Sequence, residues 1–206
     1  MMTTALKEVR QPAQDGGCGA AELLFRLQME QFEHDERYHR EIARLNMHHR
    51  LNHMALHFAK YAGKLVEADD DREKIQKTVT DTFIIALSCS NTLNFRMWDR
   101  VRPSSDAVAE DLVNLGWQLQ EAVGGAPTGT AELARWVTVA AGRMAAACEK
   151  VDHLEPYPFR QAIEESVANL VKGCFVFASP QGWDLARLVR GRLQGVKEKS
   201  ILHGYL

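Results

Sequence analysis

Glu67 and Asp81 stand on either side of an acidic joint, Asp69-Asp70-Asp71. A joint of a few residues makes the helices it connects antiparallel neighbours, so the two carboxylates can face each other, with Asp70 and Asp71 close by. Chemistry is expected first at that point of the chain. A second acidic group, Glu149 and Asp152 with Glu164 and Glu165, brackets the break at His153 to Pro158. If the flanking helices bring these residues together, they rebuild a carboxylate cluster suited to metal-assisted chemistry. The plainer account is that acids gather at helix joints because the helix dipole favours negative charge there.

Histidine is concentrated as well. His34, His39, His48, His49, His53 and His57 lie within 24 residues. His49, His53 and His57 recur at every fourth position and share a helical face, so adjacent pairs can chelate zinc. A stripe at fours drifts around the helix, and histidines lining a helix contact are the plainer expectation. The basic run Arg187 to Lys199 carries Leu188, Val189 and Leu193 and is expected to be a docked surface helix rather than a nucleic-acid arm. Trp98-Asp99-Arg100 with Arg102, and Trp183-Asp184 with Arg187, Arg190 and Arg192, form a repeated feature. An indole and a guanidinium can hold a base and a phosphate. Alternatively the Trp plugs the end of a bundle and the Asp caps the next helix. No Gly-rich phosphate loop and no Ser/His/Asp arrangement is visible.

The elements that must position these residues are helical. Met54, Phe58, Tyr61, Ala62 and Leu65 fall at spacings of three and four, and Val79, Phe83, Ile84, Leu87 and Leu93 supply the facing stripe. Before this pair, residues 1 to 19 read as a disordered arm, and Ala20 to His48 as one long helix with a partial apolar face. After it, Pro103 ends helical structure, and Ser104 or Ser105 is expected to cap a helix running to Val123. Residues 124 to 129, Gly-Gly-Ala-Pro-Thr-Gly, are the clearest linker. Thr130 is expected to cap the next helix, another runs from Phe159 to Phe177, and the tail from Lys197 is basic and frayed. Strand signals are nearly absent. The chain divides into an arm (1–19), a first helical half (20–123), the linker, and a second helical half (130–206).

The second half echoes the first. Ala62-Gly-Lys-Leu-Val-Glu-Ala68 recurs as Ala141-Gly-Arg-Met-Ala-Ala-Ala147, an offset of 79. Cys89 then meets Cys174, and Trp98-Asp99 meets Trp183-Asp184. Order and spacing across four features favour an internal duplication.

The hairpin with its basic-flanked Ala-Gly turn, then Glu67, then Asp81 leading into a long apolar helix, resembles the MazG-like all-α nucleoside triphosphate pyrophosphohydrolases. That family carries acidic pairs, E-x-x-E and E-x-x-D, which hold magnesium against nucleotide phosphates. The resemblance implies magnesium on Glu67 and Asp81, which Asp70 and Asp71 can supplement. The helical pattern and the echo together predict an all-α bundle of about six or seven helices built from two related hairpins. The remaining motif positions here are Lys64 and Thr78; in the second half they are Arg143, Ala146, Ile163 and Ser166. Magnesium takes hard oxygen ligands, often one or two carboxylates plus phosphate oxygens, so two acids can suffice for one ion. Lys60 and Lys64, one turn apart, can hold phosphate directly as point charges.

Composition sets the remaining bounds. With 206 residues there is ample chain to bury a core, and 46% apolar and 25% charged residues are ordinary for a globular protein. A net charge of −2 gives no overall pull toward nucleic acid or an anionic membrane. No apolar run reaches the roughly 18 residues of a spanning segment. Cys18, Cys89, Cys148 and Cys174 lack any C-x-x-C pair and read as reduced, buried thiols of a cytoplasmic protein. The function expected from the resemblance is a magnesium-dependent nucleotide-phosphoanhydride hydrolase with an altered metal site. The alternative is a non-catalytic module of that fold which binds a nucleotide or protein partner, or assembles as a homo-oligomer.

Overall fold

The computed structural model describes residues 19–104 and 108–201. Among them every regular element is helical. The helices are α1 (Ala20–Tyr38), α2 (Arg40–Ala43), α3 (Met47–Glu67), α4 (Arg72–Thr92), α5 (Trp98–Val101), α6 (Leu112–Ala122), α7 (Thr130–Asp152), α8 (Phe159–Ala178) and α9 (Leu185–Lys199), with a 3-10 turn at Ser179–Gln181. Seven are substantial; α2 and α5 are single turns of four residues each.

Helices α3, α4, α8 and α7 close a ring in which each packs on two others. Phe58 and Leu65 of α3, Phe83 and Leu87 of α4, Met144 of α7 and Phe175 of α8 fill its centre. Phe83 and Phe175 meet edge to face, with centroids 5.2 Å apart. One continuous core takes residues from both halves of the chain, so the 124–129 linker joins helices that share a core. Helix α1 crosses the outside of the ring against α4 and α9, and α6 lies on α8.

The ends of the central hairpin have local causes. Asn46 caps α3 by accepting a hydrogen bond from the His49 amide at 2.9 Å. Asp71 caps α4 by accepting from the Lys74 amide at 3.1 Å. Between the helices Asp69 takes a left-handed conformation, φ 46°, which Asp tolerates better than most residues.

Several sequence expectations need correction. Residues 20–48 do not form one helix: the chain leaves helical geometry at His39 (φ −131°, ψ 42°), makes the single turn α2, and starts α3 afresh at the Asn46 cap. Helix α6 begins at Leu112 rather than after Ser104, because the Asp111 carboxylate accepts from the Asn114 amide at 2.7 Å; Ser105 lies outside the described residues. Thr130 is the first residue of α7 rather than its cap. The free amide of Gly129 and the amide and hydroxyl of Thr128 are instead taken by the Glu132 carboxylate. Helix α9 continues through Lys199. The expected arm lies outside the described residues apart from Gly19, as does Cys18.

The other three cysteines are buried free thiols. Burial pushes Cys148 up to about 11 and Cys174 up to about 12, so neither is reactive near neutral pH. No described helix is long and apolar enough to cross a membrane.

Two glycines separate close packing from open surface. A Cβ on Gly116 would lie 2.5 Å from the Phe175 carbonyl oxygen and 1.9 Å from Ser179 Oγ, where α6 approaches α8. A Cβ on Gly63 would meet nothing within 4 Å. Gly116→Ala is expected to destabilise by about 1–3 kcal/mol through overpacking. Gly63→Ala should be neutral, or stabilise by up to about 1 kcal/mol through helix propensity. Midpoints of urea unfolding for the two variants check this.

Candidate functional site: a polar layer under helix α3

Asp81 lies in the middle of α4, only 8% exposed. Its carboxylate accepts from both arms of one guanidinium: Arg192 Nε to Oδ1 at 2.7 Å and Nη2 to Oδ2 at 3.3 Å. A fork of this kind is the geometry for which arginine is suited. Arg192 comes from α9, 111 residues further along the chain.

Helix α3 covers this pair with a run of polar side chains. Tyr61 is buried, and burial followed by the negative charge of Asp81 raises its phenol above the usual range. The Tyr61 hydroxyl lies 3.1 Å from His57 Nδ1, and the Lys60 ammonium reaches the same nitrogen at 3.1 Å. An ammonium can only donate, so Nδ1 accepts and the neutral His57 ring carries its proton on Nε2. That Nε2 lies 3.1 Å from Nε2 of His53, which accepts. Burial first, then the charge of Lys60, lowers His57 to about 4. Lys60 is itself held below the ordinary lysine value, first by burial and then by Lys64. Both ammoniums lie by the Tyr61 ring, at 4.9 Å and 5.9 Å from its centroid.

Glu67 takes no place in this layer. It is exposed in the last turn of α3, six residues beyond Tyr61, which is roughly 9 Å along the axis at 1.5 Å per residue. Asp70 is exposed at the joint, where it lines a groove of about 800 Å³ with Val66, Asp69, Arg135 and Val139. Magnesium therefore does not fit the acids assigned to it in this arrangement. Asp81 is occupied by a guanidinium, and Glu67 and Asp70 lie toward the end of the hairpin.

The second acidic set is likewise dispersed. Asp152 pairs with His48 at 2.6 Å, and Glu165 accepts from Gln161 at 2.9 Å. Glu164 is buried between Arg100 and Arg160. Glu149 is exposed on α7. Of the histidine stripe, His53 and His57 meet while His49 is exposed. Trp183 is buried edge-on against Phe177 at 5.8 Å, and Asp184 caps α9 through the Arg187 amide, which is the plug-and-cap arrangement. Asp99 caps nothing, since α5 follows Met97.

The pairing of Arg192 with Asp81 is what sequence reasoning missed; the sequence offered Arg192 only as one of the guanidiniums that follow Trp183-Asp184. Arg192 sits in a basic run that reads as the outer surface of a docked helix, and only the position of α9 against α4 turns it toward Asp81. The lone carboxylate in the apolar stretch of α4 was the available signal, since a buried charge requires a partner. What the fold and this layer define is an all-α chain in which Arg192 neutralises Asp81 and Lys60 and Lys64 stand at the Tyr61 ring beside it. No family model, curated protein or solved structure matches the chain.

Two outcomes test the layer. Arg192→Met leaves the Asp81 carboxylate buried without its donor and should cost about 1–3 kcal/mol; adding Asp81→Asn should recover part of that loss in a double-mutant cycle. The second concerns pH. The His57 value in the folded chain, about 4, lies below its ordinary 6.5. The unfolded chain therefore binds a proton first, and the contribution of His57 is complete above 6.5 and lost as pH falls toward 4. His57→Gln should flatten the pH dependence of the urea midpoint across that window.

Proposed function

We propose that the chain is a non-catalytic module of the MazG-like kind that binds the phosphate groups of a nucleotide on the α3 face. Lys60 and Lys64 would contact the phosphate, while the Arg192 fork beneath them neutralises Asp81, which would otherwise repel the anion. The observation that carries this reading is the fork of Arg192 on Asp81. A guanidinium stands where a metal-binding carboxylate would need a cation, and the two lysines above it lack a carboxylate of their own in the layer. Burial first, and then repulsion from Lys64, lowers Lys60, and an arriving anion would relieve the second of these. Contacts of this kind weaken with salt where they are exposed, as both lysines are.

The same reading includes the duplication. Helices α3 and α7 occupy adjoining places in the ring, as do α4 and α8. Gly63 and Gly142 are both exposed, and Cys89 and Cys174 are both buried, which supports descent of α7–α8 from a copy of α3–α4. The second copy has Ile163 and Ser166 where the first has Thr78 and Asp81, so one site per chain is expected.

Calorimetry with a non-hydrolysable nucleoside triphosphate tests the proposal. Binding should occur without magnesium, weaken as salt is raised, and fall about tenfold or more in Lys60→Gln/Lys64→Gln, as loss of charge-assisted hydrogen bonds requires. Absence of binding overturns it. Magnesium-dependent turnover of a hydrolysable nucleotide, lost in Asp81→Asn, would instead establish the hydrolase expected from the resemblance.

A further inference from the structure

A second group of chemistry-bearing side chains lies outside that layer, at the end of α1. Ligand atoms of His34, Asp35 and His39 all lie within 4.8 Å of one another, and they form the one group of three such residues this compact among the described residues. Proximity alone would carry little, but the surroundings of each ligand point the same way.

His34 is 8% exposed. Its Nε2 lies 3.2 Å from the carbonyl oxygen of Leu193 on α9. A carbonyl only accepts, so Nε2 is the donor, and in the neutral ring the lone pair falls on Nδ1. That Nδ1 is buried and has no hydrogen-bond partner among the described residues. A buried acceptor left without a partner costs about 1–3 kcal/mol, so the bare lone pair requires a reason. Histidines that bind metals usually donate their other ring N–H to a carbonyl or carboxylate, which fixes the tautomer and aims the free nitrogen.

The carboxylate is arranged in a matching way. Oδ2 of Asp35 accepts from Gln31 Nε2 at 2.6 Å and from Ser88 Oγ of α4 at 2.8 Å. Those bonds orient the group and leave Oδ1 to a further partner. Glu41 Oε1 lies 3.7 Å from His39 Nδ1, which adds negative charge at the edge of the group.

We propose that His34, Asp35 and His39 form a site for a divalent transition-metal ion, with zinc as the ion expected. Two imidazoles and one carboxylate are ligands that zinc accepts, and a set of three leaves a fourth position open for water or an exogenous ligand. Imidazole donors disfavour magnesium and calcium, which take oxygen. This site is independent of the nucleotide reading, since it uses neither the lysines nor Asp81.

The test uses the full chain, freed of metal by a chelator and titrated with zinc by calorimetry and with cobalt by visible absorption. One ion per chain is expected, with cobalt showing the ligand-field bands of a low-coordinate nitrogen–oxygen site and zinc raising the melting temperature. His39→Gln, at a half-buried position that should not compromise folding, is expected to lower zinc affinity at least tenfold and to remove the thermal shift. Ser88→Ala, which frees the Asp35 carboxylate without touching a ligand, should weaken binding by about tenfold. His53→Gln removes the neighbouring histidine pair and should leave binding unchanged. The proposal is overturned if no stoichiometric binding occurs. It is equally overturned if His53→Gln abolishes binding while a folded His39→Gln retains it.

Discussion

Helix α4 is enclosed along most of its length, yet it carries polar groups inside, and satisfying them dictates what must pack against it. Its threonines resolve the matter locally. Thr78, Thr80 and Thr82 each donate to the carbonyl four residues back, all at 2.8 Å. Asp81, Ser88 and Asn91 cannot be satisfied that way and reach other helices. Asn91 donates to the Gln28 carbonyl and to Gln31 Oε1, while Gln28 donates to Ser90 Oγ and accepts from the Met97 amide. Removing one member would strand buried partners, so the network behaves as a unit. It fixes α1 across the bundle, and α1 in turn positions Gln31 and Asp35.

The two polar centres follow from that constraint. The middle of α4 recruits α9 through Arg192 on Asp81, and its C-terminal end recruits α1 through the amide network. Helix α3 lies over the first and contributes Tyr61, His57 and Lys60, whose polar tips reach the edge of the layer while their bodies cover apolar surface. Charge is compensated stepwise: a guanidinium on the carboxylate, a neutral histidine beside an ammonium, and lysines toward water. Burial rather than any single charge sets the titration of this layer, since it is the largest influence on His57, Lys60 and Tyr61 alike.

Much of the fold was legible because the apolar spacing of α3, α4, α7 and α8 reports their buried faces directly. The all-helical class, the acidic joint and the breaks near Pro103 and at 153–158 all rest on local signals. What escaped was non-local or turned on a single cap. The break between α1 and α3 depends on Asn46 and on the unusual backbone at His39, within a run whose periodicity continues smoothly. The shortened α6 depends on Asp111 supplying the cap. In the site, Lys60 and Asp81 were recognisable as charges at helical spacing. The partner of Asp81 was not, because periodicity carries no information about which residue of a distant helix faces a given carboxylate. His34 and His39 were visible only as members of a histidine-rich stretch. Asp35 and His39 are one helical turn apart, but the Ser88 and Leu193 contacts that orient Asp35 and His34 come from other helices.

Helix α9 ties the two centres together through neighbouring residues. Arg192 holds Asp81, and the carbonyl of Leu193 orients His34. A slip of α9 by one residue would turn it by about 100° and translate it by about 1.5 Å, which breaks both contacts at once. Apolar packing resists such a slip mainly near the start of α9, where Leu185, Ala186 and Val189 are fully buried, while Leu188 and Leu193 are only partly covered. The Glu30 carboxylate, gripped by the Arg190 guanidinium at 2.9 Å, adds a third polar contact on α1. Polar contacts from Arg190, Arg192 and the Leu193 carbonyl thus set the register of the C-terminal half of α9, where apolar burial is only partial, and in doing so they fix the geometry of both centres.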